Sequence, residues 1–223
     1  MDRELDVAFL IADLAGYTAL TEAHGGVEAA RIIERFVALA DRALRSGVDV
    51  LERVGDALVL TATEPLELVR TAIAIGAAVA REPMFPGVRI GMHMGPVVLK
   101  GGHYYGSALN LTARIAAHAR PGQILGSGTI AALCTGSDAV RCRALGPVHF
   151  KNVPGAVDVF EVQADERSTR TDPDVDPVCQ MHVGSTEPAA RIPYEGRTYV
   201  FCSVECASAF AAAPDAYLPE RTR

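Results

Sequence analysis

Two β-like runs, 48–54 and 57–62, are separated only by Gly55-Asp56, so they fold back on each other as an antiparallel hairpin with Asp56 at its tip. The segment before the hairpin, Val27 to Ser46, carries Val27, Ile32, Ile33, Phe36, Val37, Leu39, Ala40 and Leu44 at helical spacing and reads as a long amphipathic helix. Asp6 to Ala12 is a short apolar run, read as a buried strand. A helix starting within Gly16 to Glu22 follows it and is broken by Gly25-Gly26. Further on, Pro65 to Arg81 is helical, Val88 to Leu99 is β, and a Gly-rich turn stands at Gly101-Gly102. Ser107 to Ala119 forms a helix ended by Arg120-Pro121-Gly122, and Ile124-Leu125, 140–145 and 157–163 are further strands. The order β-α-α-β-β-α-β predicts an α+β fold of ferredoxin-like type, with helices on one face of a mostly antiparallel sheet.

The length of 223 residues suits one medium domain and a small one, and 49% hydrophobic residues are ample for a core. A formal net charge of −6 argues against nucleic-acid binding, which wants a basic face. Met1 to Asp6 is charged and Val7 to Ala12 is too short for a signal-peptide core. No run of ~18 apolar residues exists to span a membrane. The expectation is a cytoplasmic protein. Five cysteines is an odd count, and Cys134 and Cys142 lack metal-like spacing, so a disulfide scaffold is not expected. The stretch 164–175 is polar and contains Pro173. It is the expected linker between a domain at 1–163 and a Cys-rich block at 176–223.

Asp13 follows the first apolar run at a strand end and Asp56 sits on the hairpin tip, and a ferredoxin-like sheet can bring these two ends side by side. Two adjacent carboxylates repel each other and call for a cation. Mg²⁺ suits them, because it takes oxygen ligands and shares substrate phosphates. The stretch Leu14, Ala15, Gly16, Tyr17 and Thr18 turns into a helix N-terminus, where backbone N–H groups attract phosphate. Asn110 and Arg114 are four apart on a predicted helix and share a face, a donor and a permanent cation for a ribose and a charged α-phosphate. Taken singly, these residues also suit commoner duties: a helix cap for Asp13, a turn for Asp56, a solvated face for Arg114.

The surrounding segments shift that balance. FLIADLAGYTALTE resembles the opening motif of class III nucleotide cyclases, the adenylate/guanylate cyclase family, and RVGDALVL resembles the family's second metal-site hairpin. RIGMHMGPV, YYGSALNLTARI, PGQILGS and LGPVHFKNVPGAVDVFEV follow in the family's order, so the resemblance covers about residues 5 to 163. It implies the class III cyclase fold, two Mg²⁺ or Mn²⁺ per site on Asp13 and Asp56, and Asn110 with Arg114 as the transition-state pair. Lys151 is implied near the triphosphate, although Asn152 stands where the family usually has Gly. The resemblance also implies a homodimer with shared sites, one subunit giving the acids and the other giving Asn and Arg.

Two positions depart from the adenylate cyclase pattern. Glu52 stands where Lys is usual, and His103 where Asp or Thr is usual. A carboxylate at 52 accepts from guanine N1–H and N2–H but meets adenine N1 acceptor to acceptor, so the local chemistry leans to guanine. ATP is the commoner substrate among bacterial relatives, Arg53 is close enough in sequence to reach in, and a pyrimidine triphosphate stays open.

In the last block, Cys179, Cys202 and Cys206 have spacing Cys-x22-Cys-x3-Cys, a soft-metal set for Zn²⁺ or another thiophilic ion, with His182 the nearest fourth ligand. Three buried cysteines in a small core is the alternative, but so short a block needs a staple. DPVCQM, YEGRTYVFCSVEC and PDAYL resemble the YHS domain, with Gln180 in place of a usual Gly. The expected function is a nucleotide cyclase making a 3′,5′-cyclic nucleotide and pyrophosphate from ATP or GTP, with a metal- or redox-sensing tail. The alternatives are a catalytically silent cyclase-like dimer serving as a sensing module, and a metal carrier on a dimerising scaffold.

Overall fold

A computed structural model of the chain describes residues 3–137, 139–164, 175–183 and 187–218. The expected linker at 164–175 lies almost wholly outside the described residues.

The elements run β1 (Arg3–Leu14), α1 (Tyr17–His24), α2 (Gly26–Ala43), β2 (Val48–Val54), β3 (Ala57–Ala62), α3 (Pro65–Ala80), β4 (Phe85–Pro86), β5 (Val88–Lys100), β6 (His103–Tyr105), α4 (Ser107–His118), β7 (Ile124–Ser127), α5 (Gly128–Leu133), β8 (Val140–His149) and β9 (Ala156–Ala164). The Cys-rich block adds β10 (Met181–His182), β11 (Ala190–Tyr194), β12 (Arg197–Phe201) and α6 (Val204–Ala212). The main sheet has the order β2-β3-β1-β5-β7-β9-β8, with β6 paired to β5. Its first four strands and the helices between them form the expected ferredoxin-like unit, and among the described residues only β5 and β7 pair in parallel.

Strand alternation divides the molecule. On β1, Ala8, Leu10, Ala12 and Leu14 enter the large core with α2 and α3, whereas Val7 and Phe9 pack with Val97 and Ala108 of α4. Helix α4 therefore lies on the sheet face opposite α2 and α3, which corrects the expectation that helices cover one face. Helical spacing shows that α4 has an apolar side but does not say which sheet face it meets. The close approach is made at Gly91 of β5, where a Cβ would stand 2.2 Å from the Ala116 backbone nitrogen. Backbone cannot yield there as a flexible side chain would. Gly91→Ala should cost ~1–3 kcal/mol by overpacking, read as a drop in urea midpoint with unchanged slope.

The Cys-rich block does not stand apart. Val178, Cys179, Met181, Phe201, Cys206 and Phe210 belong to the same buried cluster as the α2–α3 core. β10 pairs with β4, and the Gly87 amide donates to the Gln180 carbonyl at 3.2 Å. A block this small buries too little surface by itself, and it gains a core by sharing one.

Candidate active site and metal centre

Asp13 and Asp56 come together. Asp13 is the penultimate residue of β1, opposite Ala57 of β3 and Arg89 of β5, and Asp56 immediately precedes Ala57. The Leu14 amide donates to the Asp56 carbonyl at 3.4 Å, tying the hairpin tip to the end of β1. Burial, and then the neighbouring Asp13 carboxylate, raise the Asp56 carboxyl above the ordinary carboxylate range. Arg89 pairs with Asp13, and its buried Nε has no hydrogen-bond partner. Two half-buried carboxylates within reach of each other, with one guanidinium paired to Asp13, are an oxygen donor set short of positive charge. That set fits Mg²⁺ or Mn²⁺.

The Leu14–Thr18 stretch divides. Gly16, at φ 72°, begins the turn, and α1 starts at Tyr17 without a side-chain cap. The Leu14 and Ala15 amides are committed to the Asp56 and Gly87 carbonyls, the latter at 2.8 Å, and both side chains are buried. They are thus not the free phosphate donors expected, because the end of β1 and the turn after it spend both amides on neighbouring loops. The amides of Tyr17 and Thr18 have no backbone partner among the described contacts, and they open α1.

Asn110 and Arg114 are exposed on one side of α4, on the sheet face that carries Asp13. No described contact joins either of them to Asp13 or Asp56. Glu52 pairs in register with Val59 and so projects from that same face, since Leu58 and Leu60 point into the opposite core. His103 opens β6 opposite Lys100, and no described contact joins it to Glu52. Arg53 is held by Asp41 at 3.0 Å, from the other face, and does not reach toward Glu52's side. Lys151 is exposed in the turn before β9. Next to it Asn152 has φ 63°, and Gln180 has φ 60°. Both residues that replace a usual glycine thus keep the left-handed backbone that glycine favours.

In the tail, His24 joins the three cysteines. Sγ of Cys202 lies 3.4 Å from Sγ of Cys179, 3.9 Å from Sγ of Cys206 and 3.5 Å from Nε2 of His24. His24 Nε2 is 3.7 Å from Cys206 Sγ, and all four ligand atoms lie within 4.8 Å of one another. The expected fourth ligand, His182, is not in this group. It lies in β10 opposite Phe85, where a Cβ on Gly87 would stand 3.0 Å from its Nε2. The buried Asp176 carboxylate accepts from the Val178 and Cys202 amides, each at 2.8 Å, and so ties together the turn that carries Cys179 and the bend after β12 that carries Cys202. Ser203 caps α6 by accepting from the Cys206 amide at 3.2 Å. Hydrogen bonds from Cys179 and then Cys202 lower the Cys206 thiol, and the same sharing raises Cys179. Sequence reading missed His24 because it ends a helix of the larger domain, next to none of the cysteines in the chain.

Among the described residues no helix is long and apolar enough to cross a membrane. Residues 1–164 match the family model of the adenylate and guanylate cyclase catalytic domain, and residues 175–221 match that of the YHS domain. A pH-sensitive adenylate cyclase of Mycobacterium tuberculosis is 29% identical over 172 residues, 76% of this chain and 42% of that protein. An adenylate cyclase of Glutamicibacter nicotianae is 27% identical over 115 residues, 51% of this chain and 28% of that protein. The chain thus spans less than half the length of these curated relatives. Among solved structures, an adenylate/guanylate cyclase/hydrolase of Silicibacter pomeroyi superposes with TM-score 0.61 at 26% identity, over 74% of this chain and 99% of that one. The adenylyl cyclase CyaB of P. aeruginosa gives TM-score 0.65 at 17% identity, covering 75% and 98%, and so shares the fold. A cyclase sheet with its paired acids, matched over 1–164 and followed by a YHS domain, makes this chain a member of the adenylate and guanylate cyclase catalytic domain family.

Proposed function

We propose that the chain is a homodimeric nucleotide cyclase that converts ATP or GTP to its 3′,5′-cyclic nucleotide and pyrophosphate. The observation that carries this reading is the juxtaposition of Asp13 and Asp56 on a sheet face whose remaining candidate groups, Asn110 and Arg114, point outward and make no described contact with them. A site divided in this way is completed by a second copy. The ribose 3′-oxygen attacks the α-phosphorus and loses its proton, and the bond from that phosphorus to the bridging oxygen of pyrophosphate breaks.

Asp13 and Asp56 hold the divalent cations. Bound there, Mg²⁺ or Mn²⁺ supplies charge against the triphosphate and acidifies the ribose hydroxyl. The Tyr17 and Thr18 amides at the start of α1 receive phosphate oxygens. Asn110 of the partner subunit orients the ribose, and Arg114 of the partner subunit meets the charge that grows on the α-phosphate. Lys151, exposed before β9, meets the triphosphate in this reading. Glu52 and His103 read the base, and the carboxylate favours guanine. The homologues named adenylate cyclase favour ATP.

The chain with Mg²⁺ or Mn²⁺ and each of the four nucleoside triphosphates should yield a cyclic purine nucleotide and one equivalent of pyrophosphate. Absence of cyclic product with all four would instead establish a silent, sensing dimer. Glu52→Lys combined with His103→Asp should move preference toward ATP by ~10- to 100-fold in kcat/KM, since a polar pairing mismatched to the base costs ~1–3 kcal/mol once the bound base covers it. An unchanged ranking of triphosphates would remove both residues from base reading.

A further inference from the structure

We infer that Cys179, Cys202 and Cys206 of the tail and His24 of the catalytic domain form one closed, four-coordinate site for a thiophilic cation, Zn²⁺ by its donor set, and that the bound ion clamps the tail to the helix that opens the proposed phosphate site.

Four of the six edges between the ligand atoms have the lengths of a coordination tetrahedron, and the other two lie within 4.8 Å. With Zn–S of about 2.3 Å and Zn–N of about 2.0–2.1 Å, such a tetrahedron has S···S edges of about 3.8 Å and S···N edges of about 3.6 Å. The chain has 3.4 and 3.9 Å between sulphurs and 3.5 and 3.7 Å from sulphur to Nε2. None of these is a disulfide, which would bring two sulphurs to about 2.05 Å, and all five cysteines are free. Three thiols and an imidazole select a soft or borderline ion and reject Mg²⁺. The surroundings are built for the purpose. Buried Asp176 accepts from the amides of Val178, next to Cys179, and of Cys202, Ser203 caps the helix bearing Cys206, and Cys179 and Cys206 are buried.

The fourth ligand changes what the site does. Cys202 and His24 are 178 residues apart in sequence, in different domains. His24 is the last residue of α1, and the first turn of α1 holds the Tyr17 and Thr18 amides. An eight-residue helix is a rod of about 12 Å. The other end of that rod touches the tail as well, because a Cβ at Gly16 would lie 2.9 Å from the Cys179 carbonyl oxygen. One ion bound here fixes α1 at both ends, directly at His24 and through the Cys179 turn at Gly16. Metal occupancy then sets the position of the proposed phosphate-facing turn. This last step rests on the cyclase reading; the clamp itself does not.

The full chain, purified without a polyhistidine tag, should carry one Zn²⁺ per chain. X-ray absorption of that protein should show three sulphurs at about 2.3 Å and one imidazole nitrogen. In competition with a chromophoric chelator, His24→Gln and Cys202→Ser should each weaken zinc binding at least about 100-fold, more than loss of an outer-shell partner costs. His182→Gln should stay within about 3-fold of the unaltered chain. Hydrogen exchange should speed up in residues 17–24 as well as in 204–212 when zinc is stripped. Zinc without an imidazole ligand, wild-type affinity in folded His24→Gln, or a metal-free chain with a protected tail would each overturn the clamp. None of these readouts needs cyclic product. Zinc loss in His24→Gln from a chain that makes no cyclic nucleotide would keep the clamp and sink the cyclase.

Discussion

Asp56→Ala should abolish cyclic nucleotide formation and leave the melting temperature unchanged or slightly raised. The two halves of this result have one cause. Burial and the Asp13 carboxylate both work against a charged Asp56, so the carboxylate is no asset to the stability of the fold. Its value lies in the cation it helps to hold. Losing that charge at the triphosphate is worth several kcal/mol, at least ~10³ in rate. Asp13→Asn should lose activity to the same degree. The amide is the better choice at this position, because Asp13 pairs with Arg89 and alanine would strand that partly buried guanidinium. Steady-state assays at saturating Mg²⁺ or Mn²⁺, beside thermal melts, check both. Wild-type turnover in either variant would remove the carboxylate pair from the mechanism.

Arg114→Ala should lower kcat by ~10² to 10³ while changing KM little, the signature of a group that acts on charge formed only in the transition state. The fold should be indifferent. Arg114 is exposed on α4 and has no described ion pair, and surface substitutions of this kind usually stay within ~0.5 kcal/mol. An equal loss in KM with kcat preserved would make Arg114 a binding residue instead.

Much of this arrangement is written in local patterns. Gly55-Asp56 between two β runs requires a hairpin, and the hairpin in turn carries Asp56 to the end of β1. Alternation along β1 separates Leu10 from Phe9 and so assigns two sheet faces. Local pattern cannot say which face a helix takes, and α4 therefore surprises: its seat depends on the missing side chain of Gly91, in another strand. Short elements such as β6 and α5 have too few residues to show a period. Leu14 and Ala15 look like loop donors in sequence but are consumed by the Asp56 and Gly87 carbonyls, partners distant in the chain. His24 is the clearest case. Nothing near it in sequence is a metal ligand, and only the shared core of the two domains brings it to the cysteines. His182, adjacent in sequence, goes to β4 instead.

Divided sites at a dimer interface are the centre of this account, and complementation between two inactive chains tests them directly. Asp13→Asn and Arg114→Ala proteins are mixed in equal amounts under conditions in which subunit exchange is verified by native mass spectrometry. Random pairing gives half heterodimers, each with one complete site of two, so activity should recover to about a quarter of the unmutated level. Verified heterodimers with no more activity than the two separate variants would contradict the account.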